Sequence, residues 1–228
     1  MKPQFSLPPD LGTTIRPAQW SKVLPQPLYC IMKAGLTKDA LFMHVLSCIV
    51  DLNAIAAFME SEYTATYDSL WQNYVYLGLQ INPVAHRLLD TSAQAAATEE
   101  YECISEALRL GAVLWIIWVK RRCRSYPGTP TAYVSKLLNL LSRHWEWEKT
   151  ASASDMLSIR LWLLVLCGLS SSDAIRGATI AMEMLNHEMQ QLNGDVRNEL
   201  MRRVHQMPWM KAFEAPCRNL LDLVTIPR

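Results

Sequence analysis

The sequence predicts an all-α fold: a single irregular helical domain of about eight or nine helices behind an extended proline-rich arm. Three observations carry this. Apolar residues recur at steps of three and four. Capping and stop residues punctuate runs of helical length. No alternating apolar–polar stretch, Asn-Gly hairpin turn or repeat of fixed period occurs anywhere in the chain.

The expected division falls at residue 36. Pro3, Pro8, Pro9, Pro17, Pro25 and Pro27 crowd residues 1–36, and proline lacks a backbone donor and disfavours helix at the residue before it, so an extended arm is expected there. Phe5, Trp20, Leu24, Leu28 and Tyr29 give parts of that arm an apolar side to lay on the helical body, residues 37–228. Thr37 and Asp39 cap a helix expected to reach Glu60. A second is expected over 66–80, ending before Asn82-Pro83, and a short one from Pro83 to Asp90. Thr98, with Glu99, Glu100 and Glu102 placing negative charge in the first turn, opens a helix to about Arg122. "YPGTP" breaks the chain, and Thr129-Pro130 starts the helix carrying "AYVSKLLNLLSRHWEW". Ser154-Asp155 opens the next, with Gly168 and the following serines expected to close it. Ser172-Asp173 starts a helix expected to end at Asn193-Gly194, with Ile175, Ala178, Met182, Leu185, Met189 and Leu192 on its apolar side. Arg176, Glu183, His187 and Gln190 take the opposite side. Helices over 195–206 and 208–224 complete the chain.

Two apolar runs, Leu110–Val119 and Leu161–Leu169, raise the question of a membrane. A spanning helix needs about 20 mostly apolar residues. Both runs are shorter, and Arg109, Lys120 and Arg160 interrupt their flanks, so no membrane partner is expected and both read as helices enclosed by other helices. The first residues, "MKPQFSLPPDLG", lack the apolar core of a secretory signal. Net charge is +1, which gives no overall field to attract nucleic acid or an anionic surface. Cys30, Cys48, Cys103, Cys123, Cys167 and Cys217 lie far apart, several within apolar runs, and read as buried free thiols of a reducing compartment.

Catalytic signatures are sparse. There is no glycine-rich phosphate loop, nucleophile elbow or dinucleotide fingerprint, and no catalytic residue, metal ligand or cofactor is assigned. "HEMQQ" at 187–191 places Gln191 where a zinc protease needs its second histidine, so it reads as a solvated polar face. His44, His86, His144 and His205 are scattered. Trp115 and Trp118 share one side of a helix, and Trp145 with Trp147 sit at the end of another. Core packing explains them, with a small-molecule cavity between helices as the sharper alternative. The most conspicuous surface feature is the basic cluster Lys120, Arg121, Arg122 and Arg124. A helix C-terminus favours cations there; contact with an acidic partner or a nucleic-acid phosphate, and a nuclear targeting signal, are the functional alternatives.

Three passages, in order, resemble a known family. "YECISEALRLGAVLWI" (101–116), "LSIRLWLLVLCGLSSS" (157–172) and "MPWMKAFEAPCRNLLDLV" (207–224) are similar to helices of the fungal-specific transcription factor domain, over roughly residues 38 to 226. The resemblance implies an all-helical regulatory region of a fungal zinc-cluster regulator, located in the nucleus. It further implies action through protein partners and a small-molecule effector. The zinc-cluster module, with its closely spaced cysteines and basic residues, is missing, which makes direct DNA binding doubtful. Two rivals remain open: an enzyme or small-molecule-binding helical protein with an unrecognised pocket, and a scaffold working by surface alone. The oligomeric state is left open.

Overall fold

A computed structural model describes residues 23–33, 40–66, 71, 74–90, 100–124, 130–143, 153–171 and 175–223. Within them the chain is mainly helical, with short turns between helices, and contains no strand. The helices are α1 (Gln26–Lys33), α2 (Ala40–Thr66), α3 (Tyr74–Asp90), α4 (Glu100–Arg122) and α5 (Thr131–Arg143). They continue with α6 (Ala153–Ser170), α7 (Ile175–Met189), α8 (Val196–Val204), a 3-10 turn at Lys211–Phe213 and α9 (Glu214–Leu223).

Helices α4 and α6 form the hub. They pack on each other; α2, α3 and α5 gather around α4, and α1, α5, α7, α8 and α9 gather around α6. Enclosure on all sides explains why these two sequences are apolar almost all the way round. Every residue from Ser158 to Gly168 is buried, as is every residue from Ile104 to Ile117. The helices touch closely because Gly111 faces Leu163 and Trp162; a Cβ there would lie 2.3 Å from Leu163 Cδ2. At its other end α6 meets α9, where a Cβ on Gly168 would lie 2.5 Å from Leu220 Cδ2. Gly168 therefore does not stop α6, as expected from sequence. It lies inside the helix, and its missing side chain makes room for α9.

Three further differences have local causes. Residues 26–33, expected to be extended, form α1, because Pro27 falls in the first turn, where a backbone donor has no intrahelical partner to lose. Leu24, Leu28, Ile31 and Met32 are buried and α1 packs on α6, so this part of the expected arm lies on the helical body; Phe5 and Trp20 fall outside the described residues. Pro83 does not separate two helices but sits within α3. The carbonyl it leaves without a partner belongs to Leu79, whose side chain is 68% exposed, so water can reach that side of the helix. Helix α9 begins at Glu214 rather than Pro208, after the 3-10 turn. Helix α7 ends at Met189 rather than at Asn193-Gly194. Of its expected apolar side Leu185 and Met189 are buried, Ala178 and Met182 half-buried, and Leu192 is buried just beyond the helix. Glu183, His187 and Gln190 are exposed, and the side chains of Ile175 and Arg176 lie outside the described residues.

Two helices meet the length and apolarity needed to cross a bilayer. Leu41–Ser61 has 21 residues at a mean hydropathy of 1.8, and Ala153–Ser170 has 18 at 1.4. The first was not among the runs that drew attention in the sequence. In this fold 56% and 72% of them, respectively, are buried against the protein itself.

Ion pairs tie the helices together. Arg160 of α6 donates through Nε to Glu188 Oε1 of α7 at 3.0 Å, with Nη2 2.8 Å from the same oxygen as a charge contact rather than an aligned hydrogen bond. Both side chains are buried. Glu188 belongs to the "HEMQQ" stretch read as a solvated face. His187, Gln190 and Gln191 are exposed as expected, but Glu188 points inward. A second network joins α3, α4 and α5. Glu106 accepts from Arg109 Nη2 and Lys136 Nζ, each at 2.7 Å, while Arg109 Nη1 donates to the carbonyl of Leu88 at 2.9 Å. A third pair joins Arg87 of α3 to Asp51 of α2.

These carboxylates respond to acid with opposite signs. Burial pushes the Glu106 pKa up, but the hydrogen bonds and charges of Arg109 and Lys136 outweigh it and the net shift is downward. Its stabilisation is therefore fully present above its unfolded value of about 4.5 and is lost as pH falls through the lower folded value. Burial raises Asp51 despite Arg87, so Asp51 works in the other direction. Glu106→Gln should thus lower stability at pH 7, and the gap to the parent protein should close as the pH drops below about 4.5. Urea unfolding midpoints at pH 7, 5, 4 and 3 read this directly.

All six cysteines are free thiols. Burial pushes Cys48 and Cys123 up to about 11 and Cys217 up to about 12, and raises fully buried Cys167 further. Cys30 and Cys103 are only partly buried. Iodoacetamide at pH 8 is expected to label those two in the folded protein, and the other four only after denaturation. Peptide mass mapping before and after adding guanidinium checks the order.

Candidate functional site

The basic cluster ends α4, and the helix geometry decides what it can do. Successive residues turn by about 100°, so Lys120, Arg121 and Arg122 leave the helix in different directions. Lys120 is half-buried and lines a cleft of about 400 Å³ against α3, beside Val119, Cys123, Gly78 and Leu79. Burial lowers its pKa. Arg122 is exposed and stacks over the Trp71 ring, its guanidinium carbon 5.3 Å from the ring centre. Arg121 is half-buried. Arg124 is exposed and holds φ at 56°, the left-handed conformation that closes a helix, with its amide donating to the Arg121 carbonyl at 2.9 Å. The four residues are thus neighbours in space without forming one continuous basic face. Three of them also sit where the helix dipole favours cations.

Trp115 and Trp162 are buried in the core, with Trp118 and Trp209 partly buried against it. Trp115 and Trp118 both meet Phe213, at ring-centre distances of 6.0 and 4.2 Å, and Trp209 meets the same ring at 5.1 Å. Trp162 Nε1 donates to the carbonyl of Pro208 at 3.1 Å. Trp145, Trp147 and His144 lie outside the described residues. His44 Nε2 lies 3.3 Å from the Arg87 carbonyl, a helix-to-helix hydrogen bond. His86 and His187 are exposed, and His205 stacks beside Trp209 at 5.5 Å with Glu214 3.9 Å away. Among the described residues no group of three or more histidine, cysteine, aspartate or glutamate side chains could hold a metal ion.

A second cleft was not visible in the sequence. It measures about 440 Å³ and lies where α5, the C-terminal end of α6 and the start of α7 converge. Thr131, Ser135, Asn139 and Ser142 run along its α5 wall at helical spacing, and Val134 and Leu138 are buried beside them. Ser170 and Ser171 lie at the end of α6; Gly177 and Ile180 face them from α7. None of these lining side chains carries a charge. Ser171 Oγ donates to the Cys167 carbonyl at 2.6 Å. Ser170 is 3% exposed and its Oγ has no hydrogen-bond partner among the described residues; a buried hydroxyl left unmet costs about 1–3 kcal/mol. The only hint in the sequence was the serine run 170–172, read there as a helix stop. A third groove, between α8 and α9, holds His205, Glu214, Arg197 and Asp222, whose charges largely pair with one another: Arg197 Nη1 lies 2.7 Å from Asp222 Oδ1.

No family model, curated protein or solved structure matches this chain.

Proposed function

We propose that this chain is a helical regulatory domain of the transcription-regulator type, acting through contacts with other proteins and responsive to a small effector. One observation supports the reading above others. The three segments that carry the resemblance are distant in sequence but pack as one unit: α4 on α6, the Trp162 indole on the Pro208 carbonyl, and Phe213 among Trp115, Trp118 and Trp209. A related domain would need these segments to form its centre. Among the described residues the clefts are lined by hydroxyls, amides, apolar side chains, Lys120 and the Cys123 thiol, which burial pushes up to about 11 and so keeps protonated, with a surface charge network in the α8–α9 groove. That composition suits binding better than bond-breaking, which needs a nucleophile, a base and an orienting group in mutual reach.

The basic cluster fits a contact for an acidic protein surface better than a track for duplex DNA. Its side chains diverge, and DNA binding needs several phosphate contacts on one face. Two measurements test the proposal. The chain fused to a heterologous DNA-binding module should alter reporter transcription in fungal cells several-fold relative to the module alone, and an unchanged reporter would overturn the regulatory reading. The purified chain should not bind random-sequence duplex DNA at low salt. Tight binding that falls steeply with salt would instead make the Lys120–Arg124 end of α4 a phosphate-contact surface.

A further inference from the structure

We infer that the cleft between α5, α6 and α7 is a binding site for a small, uncharged, largely apolar molecule bearing one hydroxyl or carbonyl group. The inference rests on the regulatory reading only for the use of such a molecule as an effector; the site itself stands on the geometry.

Size comes first. A cleft of about 440 Å³ falls within the range of small-molecule sites, which run from roughly 300 to 1,000 Å³. Charge comes second. Among the described residues the lining contains hydroxyl, amide and aliphatic side chains only, so an ionised ligand would meet no opposite charge from them to replace its water. An uncharged ligand meets no such penalty. Polarity comes third. The inner surface is apolar at Val134 and Leu138, both buried, while Ser135 and Asn139 are exposed at the rim. An apolar body therefore fits inward, with rim groups able to exchange water for contacts to the ligand.

The buried end fixes the class of functional group. Ser171 Oγ is already committed to the Cys167 carbonyl, but Ser170, lining the same cleft, has a buried Oγ without a partner among the described residues. Buried hydroxyls are normally satisfied, so an unmet one in a cleft wall marks where a ligand oxygen is wanted. A serine hydroxyl donates one hydrogen and accepts through its lone pairs. It can therefore donate to a ketone or an alcohol oxygen and accept from an alcohol. Gly177 keeps the opposite wall open. A Cβ there would meet Ser171 Oγ at 3.5 Å and Val134 Cγ1 at 3.7 Å, ordinary contacts, so a longer side chain at this position would project into the space without displacing backbone.

The test uses four probes of one shape: cyclohexanol, cyclohexanone, cyclohexylamine and cyclohexanecarboxylate, titrated into the isotope-labelled chain and followed by amide NMR shifts. Cyclohexanol and cyclohexanone are expected to produce saturable shifts within α5, the end of α6 and the start of α7. The amine and the carboxylate should bind about tenfold more weakly or less. Ser170→Ala should weaken the alcohol and the ketone about fivefold. Gly177→Leu should abolish their binding with the helical circular dichroism unchanged; if that variant unfolds, Ser170→Ala still decides. Absence of saturable shifts from both neutral probes, charged probes that bind as well as neutral ones, or a Ser170→Ala protein that binds like the parent would each overturn the inference. None of these outcomes depends on the reporter assay, so the ligand site and the regulatory reading can fail separately.

Discussion

Glu188→Ala will lower the free energy of unfolding by about 3–5 kcal/mol, the usual cost of removing one partner from a buried ion pair. The reason is the stranded charge. Arg160 is buried in α6, the most enclosed helix, and in the parent protein its Nε donates to Glu188 at 3.0 Å. Without the carboxylate, a buried guanidinium loses the charge partner that offsets its burial. Against a typical domain stability of about 5–15 kcal/mol, that is a large share of the total. The sharper form of the test is the double replacement Arg160→Met with Glu188→Leu. It removes both charges and keeps the volume apolar, so it should recover most of the loss. Urea unfolding of the single and double variants at pH 7 measures both. A single variant that loses under 1 kcal/mol would mean that water reaches this pair and that the α6–α7 interface is looser than its burial indicates.

The second large effect is expected at Gly111. Two terms compete when alanine replaces a helical glycine: about 1 kcal/mol gained in helix propensity, and the cost of overpacking, typically about 1–3 kcal/mol and sometimes more. At Gly111 overpacking wins. The new methyl would sit 2.3 Å from Leu163 Cδ2 and 3.0 Å from Trp162 Cζ3, and both of those side chains are fully buried. Neither can yield without pushing α4 away from α6. Gly111→Ala is therefore expected to destabilise by about 2 kcal/mol net, and Gly111→Val by more. Gly168→Ala should cost less, because its methyl meets Leu220 alone, which is 8% exposed and has more room to move than the fully buried Leu163 and Trp162. A cycle pairing Gly111→Ala with Leu163→Ala should be strongly non-additive, since the methyl enters space that the truncated leucine vacates. Additive losses would show that the two residues do not share that space.

Much of the fold was legible because it follows from local rules. Spacing of apolar residues and caps marked α2 and α4 to α7, though not α1 or the unity of α3, and the buried residues Leu185 and Met189 of α7 were named correctly. What escaped was contextual. Pro83 reads as a break because proline removes a hydrogen bond; it stays inside α3 because the freed carbonyl faces solvent beside Leu79. Gly168 reads as a stop because glycine often follows a helix, yet here it admits Leu220 from a helix some fifty positions later in the chain. Glu188 reads as surface because its neighbours are polar, and only the arrival of Arg160 makes its burial tolerable.

The sequence by itself determined that this protein is helical, that α4 and α6 are enclosed, and that a basic cluster ends α4. Those properties are set by periodicity, composition and capping within a few turns of chain. The tertiary structure alone decided that the cluster diverges, with Lys120 in a cleft and Arg122 on Trp71. It alone placed the Ser170 hydroxyl, without a partner among the described residues, in a cleft shared by three helices whose described lining is uncharged. A site of that kind belongs to no single segment: its walls come from α5, α6 and α7, and their meeting is fixed by long-range packing that leaves no periodic trace in the sequence.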